Sequence, residues 1–240
     1  MSRRACRVSD PFNGVAECVG AVVFGSDQGL VGRFNEVIVD LAVETLNKLP
    51  GPKKKIWAVG ERVHGLLVDA GIAEPTLLSV PSSLGGITPL IGEILIAVEA
   101  ARERHDVAEV FVFHNQPKSG AAYEPVSKRL LPLDQELRGA LIELPWTTKM
   151  LPEIIEGPHP TLDALIRGYL FVVLFQACAE SLNSENASRL AAMQRAEKNI
   201  KNMLVDLNKE FYRVRQESID EELFDVVAGF EALTGRGAGS

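Results

Sequence analysis

Cysteine is scarce in this chain, with only Cys6, Cys18 and Cys178 in 240 residues and no two of them close in sequence. Such scatter suggests neither a zinc site nor a disulfide framework, and the odd count fits a reducing compartment. Basic charge is not in excess either. A formal net charge of -7 argues against nucleic acid as the main partner, because phosphate binding needs a clustered cationic face. A secretory leader is missing from the reading too, since Met1 to Arg7 is basic but no apolar segment follows it. The longest apolar run, Tyr169 to Ala179, lies between Arg167 and Glu180 and falls short of the roughly 20 residues that cross a bilayer. Histidines at helical i, i+4 spacing are absent, so His64, His105 and His159 read as surface residues and no metal site is expected.

Proline is lacking where its absence matters most. From Thr161 to Leu233 there is none, and Gly168 is the one glycine before Gly229. Nothing there stops a helix. Leu162, Leu165, Ile166, Tyr169, Leu170, Val173 and Phe175 open an apolar face. Met193, Ala196, Ile200, Met203, Leu207, Phe211 and Val214 continue it at three- and four-residue steps, the spacing of a coiled-coil seam. Between them Arg195, Glu197, Lys198, Lys201, Asp206, Lys209, Glu210, Arg213 and Arg215 form a mixed-charge outer face. An unbroken rod of this length would measure roughly 110 Å at about 1.5 Å per residue, more than one small core covers.

Ahead of this helix the pattern alternates. Val19 to Phe24 reads as a buried strand, Asn35 to Leu49 as a helix, Lys55 to Val59 as a strand, and Glu61 to Ala70 as a helix closed by Gly71. Thr76 to Val80 is a third strand, Pro89 to Arg104 a helix, Val110 to His114 a fourth strand and Lys128 to Leu131 a short fifth at the edge. The expected fold is therefore α/β: a Rossmann-like, mostly parallel sheet domain over residues 19–150, then a long C-terminal coiled-coil helix over 161–233. A short segment, 1–18, precedes the domain, a proline-marked connector spans 151–160, and the glycine-rich end, 234–240, reads as disordered.

The first strand runs into Gly25-Ser26-Asp27-Gln28-Gly29-Leu30-Val31-Gly32, a glycine-spaced loop before a helix, where backbone amides can bind phosphate. It matches neither G-x-G-x-x-G nor the Lys-Ser/Thr of a P-loop, and no acidic residue ends the second strand to hold a ribose. A structural turn is the expectation, without nucleotide or other cofactor. Two rival functions follow from the residues alone. One is a hydrolase-like enzyme with Asp27 as nucleophile and His114 as its base; the other is a scaffold that presents the long helix for coiled-coil pairing.

Three blocks carry a resemblance: Ser26 to Asn35, the Ser184 to Ile200 segment with small residues along one side, and Arg213 to Leu233. Over Gly20 to Leu233 the chain resembles the gamma subunit of rotary F-type ATP synthases. Gly25 to Gly29, Tyr169 to Phe175 and Phe230 to Leu233 look closest to the alternate, N-type branch, which is linked to sodium transport. The resemblance implies a non-catalytic central shaft that works with alpha, beta and epsilon subunits and a membrane c-ring on the inner face of the cell membrane. It implies that Arg215, Gln216, Glu222 and Asp225 touch the beta subunit. Asp220 departs from the threonine usual there, and only Met1 to Cys18 stand where family members have a long helix that pairs with the C-terminal one. With no second seam in the sequence, the Ile200 to Val214 face is expected to self-associate, since five uncovered positions forfeit roughly 10 kcal/mol at ~1.5 to 3 kcal/mol each.

Overall fold

A computed structural model describes residues 18–49, 53–104, 106–133 and 157–235, together with Gly139, Glu143, Met150 and Ile154. Residues 1–17 of the N-terminal segment, half of the 151–160 connector and residues 236–240 of the C-terminal end lie outside the described residues. The chain forms two compact units, Met1–Ala192 and Met193–Ser240.

In the first unit the strands are β1 (Cys18–Phe24), β2 (Lys53–Val59), β3 (Thr76–Leu78), β4 (Glu109–Pro117) and β5 (Tyr123–Leu131). The helices are α1 (Phe34–Lys48), α2 (Glu61–Asp69), α3 (Ile87–Glu103) and α4 (Pro158–Gly235). The sheet order is β3-β2-β1-β4-β5, with β1 to β4 parallel and β5 antiparallel to β4. This is the expected mixed parallel sheet followed by a long helix. β1 is buried along its whole length, as a parallel strand covered on both faces must be.

Side chains alternate between the two faces of the sheet. Val19, Ala21, Val23, Ile56, Ala58 and Phe113 pack under α1 and α2, through Ile38, Ala42, Leu46, Val63 and Leu67. Val22, Phe24, Trp57, Val59, Val110 and Val112 pack under α3 and the first part of α4. There Leu170, Val173, Leu174, Ala177 and Cys178 are buried, so one face of the Tyr169 to Ala179 run is spent on the sheet while Val172 stays exposed. Burial pushes the Cys178 thiol up to about 12, which leaves it an unreactive small hydrophobe. Cys18 is disulfide-bonded, against the expectation from cysteine spacing, which carries no information about distance in space.

Boundaries differ from expectation where local chemistry permits it. α4 begins at Pro158 rather than Thr161, because prolines in a first turn lose no helical hydrogen bond, and the Thr161 hydroxyl donates to the Gly157 carbonyl at 2.9 Å. β5 runs from Tyr123, well before Lys128; its polar, proline-containing first half suits an edge strand. α2 ends as expected at Gly71, with φ 84°. The Gly71 amide donates to the Val68 carbonyl and the Ile72 amide to that of Leu67, the two bonds of a Schellman close.

In the second unit, Met193 to Gly235 is helical throughout. Met193, Ile200, Met203, Leu207, Phe211 and Val214 are all exposed, as are Ile219, Leu223, Val226 and Phe230 beyond them. Its outer surface carries ion pairs one turn apart: Glu197 with Lys201 at 2.6 Å, Asp206 with Lys209 at 3.3 Å, and Arg213 with both Glu210 at 2.5 Å and Glu217 at 2.6 Å.

Candidate functional site

The glycine loop after β1 is closed by its own side chains. Asn35, in the first turn of α1, is buried; its Oδ1 accepts from the Ser26 amide at 2.9 Å and its Nδ2 donates to Ser26 Oγ at 2.8 Å. Ser26 Oγ donates in turn to the Gln28 carbonyl at 2.8 Å, while the Ser26 carbonyl accepts from the Arg62 amide at 3.0 Å. The Gly25 amide is held by the Val59 carbonyl at 2.9 Å. Two amides that a phosphate would need, those of Gly25 and Ser26, already have partners inside the protein.

Two glycines are required here by space. A Cβ on Gly25 would stand 2.4 Å from Val63 Cβ, and one on Gly60, whose φ is 118°, would stand 2.6 Å from the Ser26 carbonyl oxygen. Loop and α2 therefore touch backbone to backbone. Leu30, with φ 64°, projects from the loop into solvent at 75% exposure.

Asp27 and His114, the pair an enzyme would use, have other work. Asp27 Oδ1 accepts from the Glu61 amide at 3.0 Å, so the carboxylate caps the N-terminus of α2, where Gly60 offers no side chain. His114 Nε2 lies 2.9 Å from Glu180 Oε2 on α4. The nucleophile-and-base reading is thus corrected: each side chain holds a partner far away in sequence, and neither holds the other. Among the described residues, no group of three or more His, Cys, Asp or Glu is placed to hold a metal.

A polar layer runs where α4 crosses the ends of β1 and β4, in the crevice that Rossmann-like folds keep for ligands. Here the helix itself fills it. Ser184 Oγ donates to the Asn115 carbonyl at 3.0 Å, and Asn115 Nδ2 donates to the Phe34 carbonyl at 2.9 Å. Ser181, Ser184, Glu185 and Ser188 are buried on one face of α4, at i, i+3, i+4 and i+7. Glu185 pairs with Arg189 at 2.6 Å, yet burial holds its carboxyl above the ordinary 4.5, and Asp27 adds repulsion in the same direction. Burial pushes the His114 imidazole below its ordinary 6.5, against the pull of Glu180. Sequence reading missed this layer. Its members are spread over loop, strand and helix, and only the small-residue face from Ser184 onward gave a sign of close helix packing.

The polar residues singled out near the end of the helix stand apart from all this. Arg215, Gln216, Glu222 and Asp225 lie in the second unit and are exposed. Gln216 Nε2 donates to Asp220 Oδ1 at 3.0 Å. Their side chains and the neighbouring apolar ones present a mixed surface more than two turns long.

Comparison with known proteins agrees with the fold. The profile of the family described as ATP synthase matches residues 3–233. The ATP synthase gamma chain of Nitrosomonas eutropha is 26% identical over 245 residues, which cover 97% of this chain and 81% of that one. That of Haemophilus influenzae is 28% identical over 244 residues, with the same two shares. Among solved structures, the rotor of Euglena gracilis mitochondrial ATP synthase aligns over 85% of this chain and 75% of its own, with TM-score 0.63 and 15% identity. The central stalk and c-ring structure of Tetrahymena thermophila mitochondrial ATP synthase gives 0.56 and 19% identity over 77% and 79%. At such identities the structural likeness is one of fold, and the match along the sequence carries the family. The chain belongs to the ATP synthase family, and the relatives it matches there are gamma chains.

Proposed function

We propose that the chain is the rotor of an F-type ATP synthase, the central-stalk subunit that couples ion flow through a membrane c-ring to ATP synthesis or hydrolysis on beta subunits. The observation that carries this is the second unit: in a gamma-type chain, a continuous helix leaves a run of large apolar side chains in solvent from Met193 to Phe230. A monomeric soluble protein rarely exposes so much apolar surface without a partner for it.

Arg215, Gln216, Glu222 and Asp225 are the residues proposed to touch beta, and the seam from Met193 to Val214 the surface that is covered in the assembled stalk. The subunit does no bond chemistry itself. Its contribution is to favour one conformation of each beta subunit in turn, which requires contacts that differ between the states. Epsilon and the c-ring are the proposed partners of the sheet unit, and attachment to the inner face of the cell membrane comes through them. The Gly25–Gly29, Tyr169–Phe175 and Phe230–Leu233 segments support the narrower placement in the N-type branch, with the coupling ion, proton or sodium, left open.

Coexpression with the remaining subunits tests the reading. The tagged chain should copurify with alpha, beta and epsilon, and membranes carrying the complex should pump ions on addition of ATP. Recovery of a single helical partner instead would point to the scaffold reading.

A further inference from the structure

Helix α4 is fastened to the sheet in two ways that fix different things. Apolar contacts such as those of Leu170, Val173 and Leu174 have no preferred direction, so they hold the helix down while tolerating a small slide or roll. Hydrogen bonds weaken steeply with angle and distance. Two consecutive residues at the end of β4 make such bonds to residues one turn apart on α4: His114 to Glu180 at 2.9 Å, and the Asn115 carbonyl to Ser184 Oγ at 3.0 Å. Side chains of adjacent strand residues point to opposite faces. Accordingly the His114 ring meets α4, while the Asn115 side chain reaches the other way, to the Phe34 carbonyl at the start of α1. Glu180 is itself steadied by Gln176, whose Nε2 donates to Glu180 Oε1 at 2.8 Å.

We propose that His114, Asn115, Glu180 and Ser184 form a register lock that sets the axial and rotational position of α4 on the sheet and carries load between them. The load-bearing part rests on the rotor reading above; the lock itself does not. All four are positioning residues. A helix under torque first moves along whichever contacts resist least; the apolar ones set no sharp stop, and the Arg167 pair with Glu99 of α3 is exposed and screened by water. The hydrogen-bonded pair, anchored through Asn115 to α1 on the far face, supplies one.

The lock has a built-in pH dependence. Glu180 from α4 and Lys128 from β5 are the charged groups that face His114, with Gln116 and Gln176 as neutral neighbours around a cavity of about 120 Å³. That cavity has room for water, which would give the ring access to protons. Burial outweighs the attraction of Glu180 and, together with Lys128, holds the imidazole below its ordinary 6.5. A group whose pKa is depressed in the closed state contributes fully above the ordinary value and loses that contribution as pH falls through the closed-state value. Acid therefore opens the clasp.

Hydrogen exchange on the purified full chain tests the lock, with rates corrected for the intrinsic effect of pH. Ser184→Ala should speed exchange of amides 176–189 about fivefold to tenfold, the size expected for one buried hydrogen bond, and leave those of β2 and α2 unchanged. Wild-type protection of 176–189 should fall on acidification, and His114→Gln, which keeps a donor for Glu180 but cannot titrate, should remove that fall. Unchanged exchange in Ser184→Ala, or a fall in protection on acidification that survives in His114→Gln, overturns the lock; buried Glu185 in the same segment acts in the opposite direction. In the assembled complex, Ser184→Ala with Glu180→Gln should lower the ions pumped per ATP hydrolysed; an unchanged ratio overturns the load-bearing role. A wild-type chain that enters no complex defeats the rotor reading, and the exchange result still decides the lock.

Discussion

Helix α4 has one sequence style and two fates. Leu170, Val173, Leu174 and Cys178 are buried against the sheet, whereas between Met193 and Phe230 side chains of the same kind stand in solvent. Neither stretch is more helical than the other; the chain is continuous from Pro158 to Gly235. The difference is one of use. Burial of the first set stabilises the domain, and exposure of the second makes it available to other chains. A gamma-type subunit needs both, one to be held by and one to act with.

Substitutions separate the two fates most sharply at matched residues. Leu174→Ala in the buried part should cost ~2–5 kcal/mol of folding stability by chemical denaturation, because the side chain leaves a cavity between sheet and helix. Leu207→Ala in the exposed part should stay within about 0.5 kcal/mol in the isolated chain. If the two cost the same, the distinction between the halves is wrong.

The exposed half should also betray itself in solution. Ultracentrifugation of the purified chain is expected to show self-association through Ile200 to Val214, abolished by Leu207→Glu with Phe211→Glu at an unchanged melting temperature. A monomer with strong protection of amides 200–214 would mean that the face is already satisfied within the chain.

Within the sheet unit, the glycine loop offers a smaller contrast. Gly25→Ala forces a Cβ to within 2.4 Å of Val63 and should cost ~1–3 kcal/mol, while Gly29→Ala meets nothing within 4 Å and should be close to neutral. Calorimetry with ATP should show no saturable binding to either or to the wild type. Micromolar binding lost in Gly29→Ala would restore a nucleotide role to the loop.

Glu185 gives the finest test. Its carboxyl holds a proton more tightly folded than unfolded, so its contribution is present below about 4.5 and is lost as pH rises through the raised value. At neutral pH the buried carboxylate is a liability. Glu185→Gln should therefore raise stability near neutrality, by chemical denaturation, with a gain that shrinks on acidification. A loss at neutral pH would show that the Arg189 pair outweighs burial.

Much of this architecture was legible in the residues because it depends on local period. The continuous apolar runs of β1 and β2, the Gly71 stop and the proline-free helix follow from neighbours within a few positions. β5 was read short because an antiparallel edge strand carries polar residues and Pro125 without penalty. What depends on distant partners stayed hidden. Asp27 looks like a nucleophile in sequence and is a cap for a helix 34 residues on; His114 meets Glu180 across 66 residues. The seam residues were readable as a stripe, but no periodicity says which part of a stripe a fold will cover.

The central claim is that the exposed half of α4 acts on partners and does not merely tolerate water. A reconstituted complex carrying Arg215→Ala with Gln216→Ala, assayed for ATP hydrolysis and ion pumping, tests it most directly. Both residues are exposed, so the isolated variant should fold as the wild type does. The account predicts that the complex assembles and that ATP-driven pumping falls well below the wild-type rate; wild-type values for hydrolysis and pumping together would contradict it.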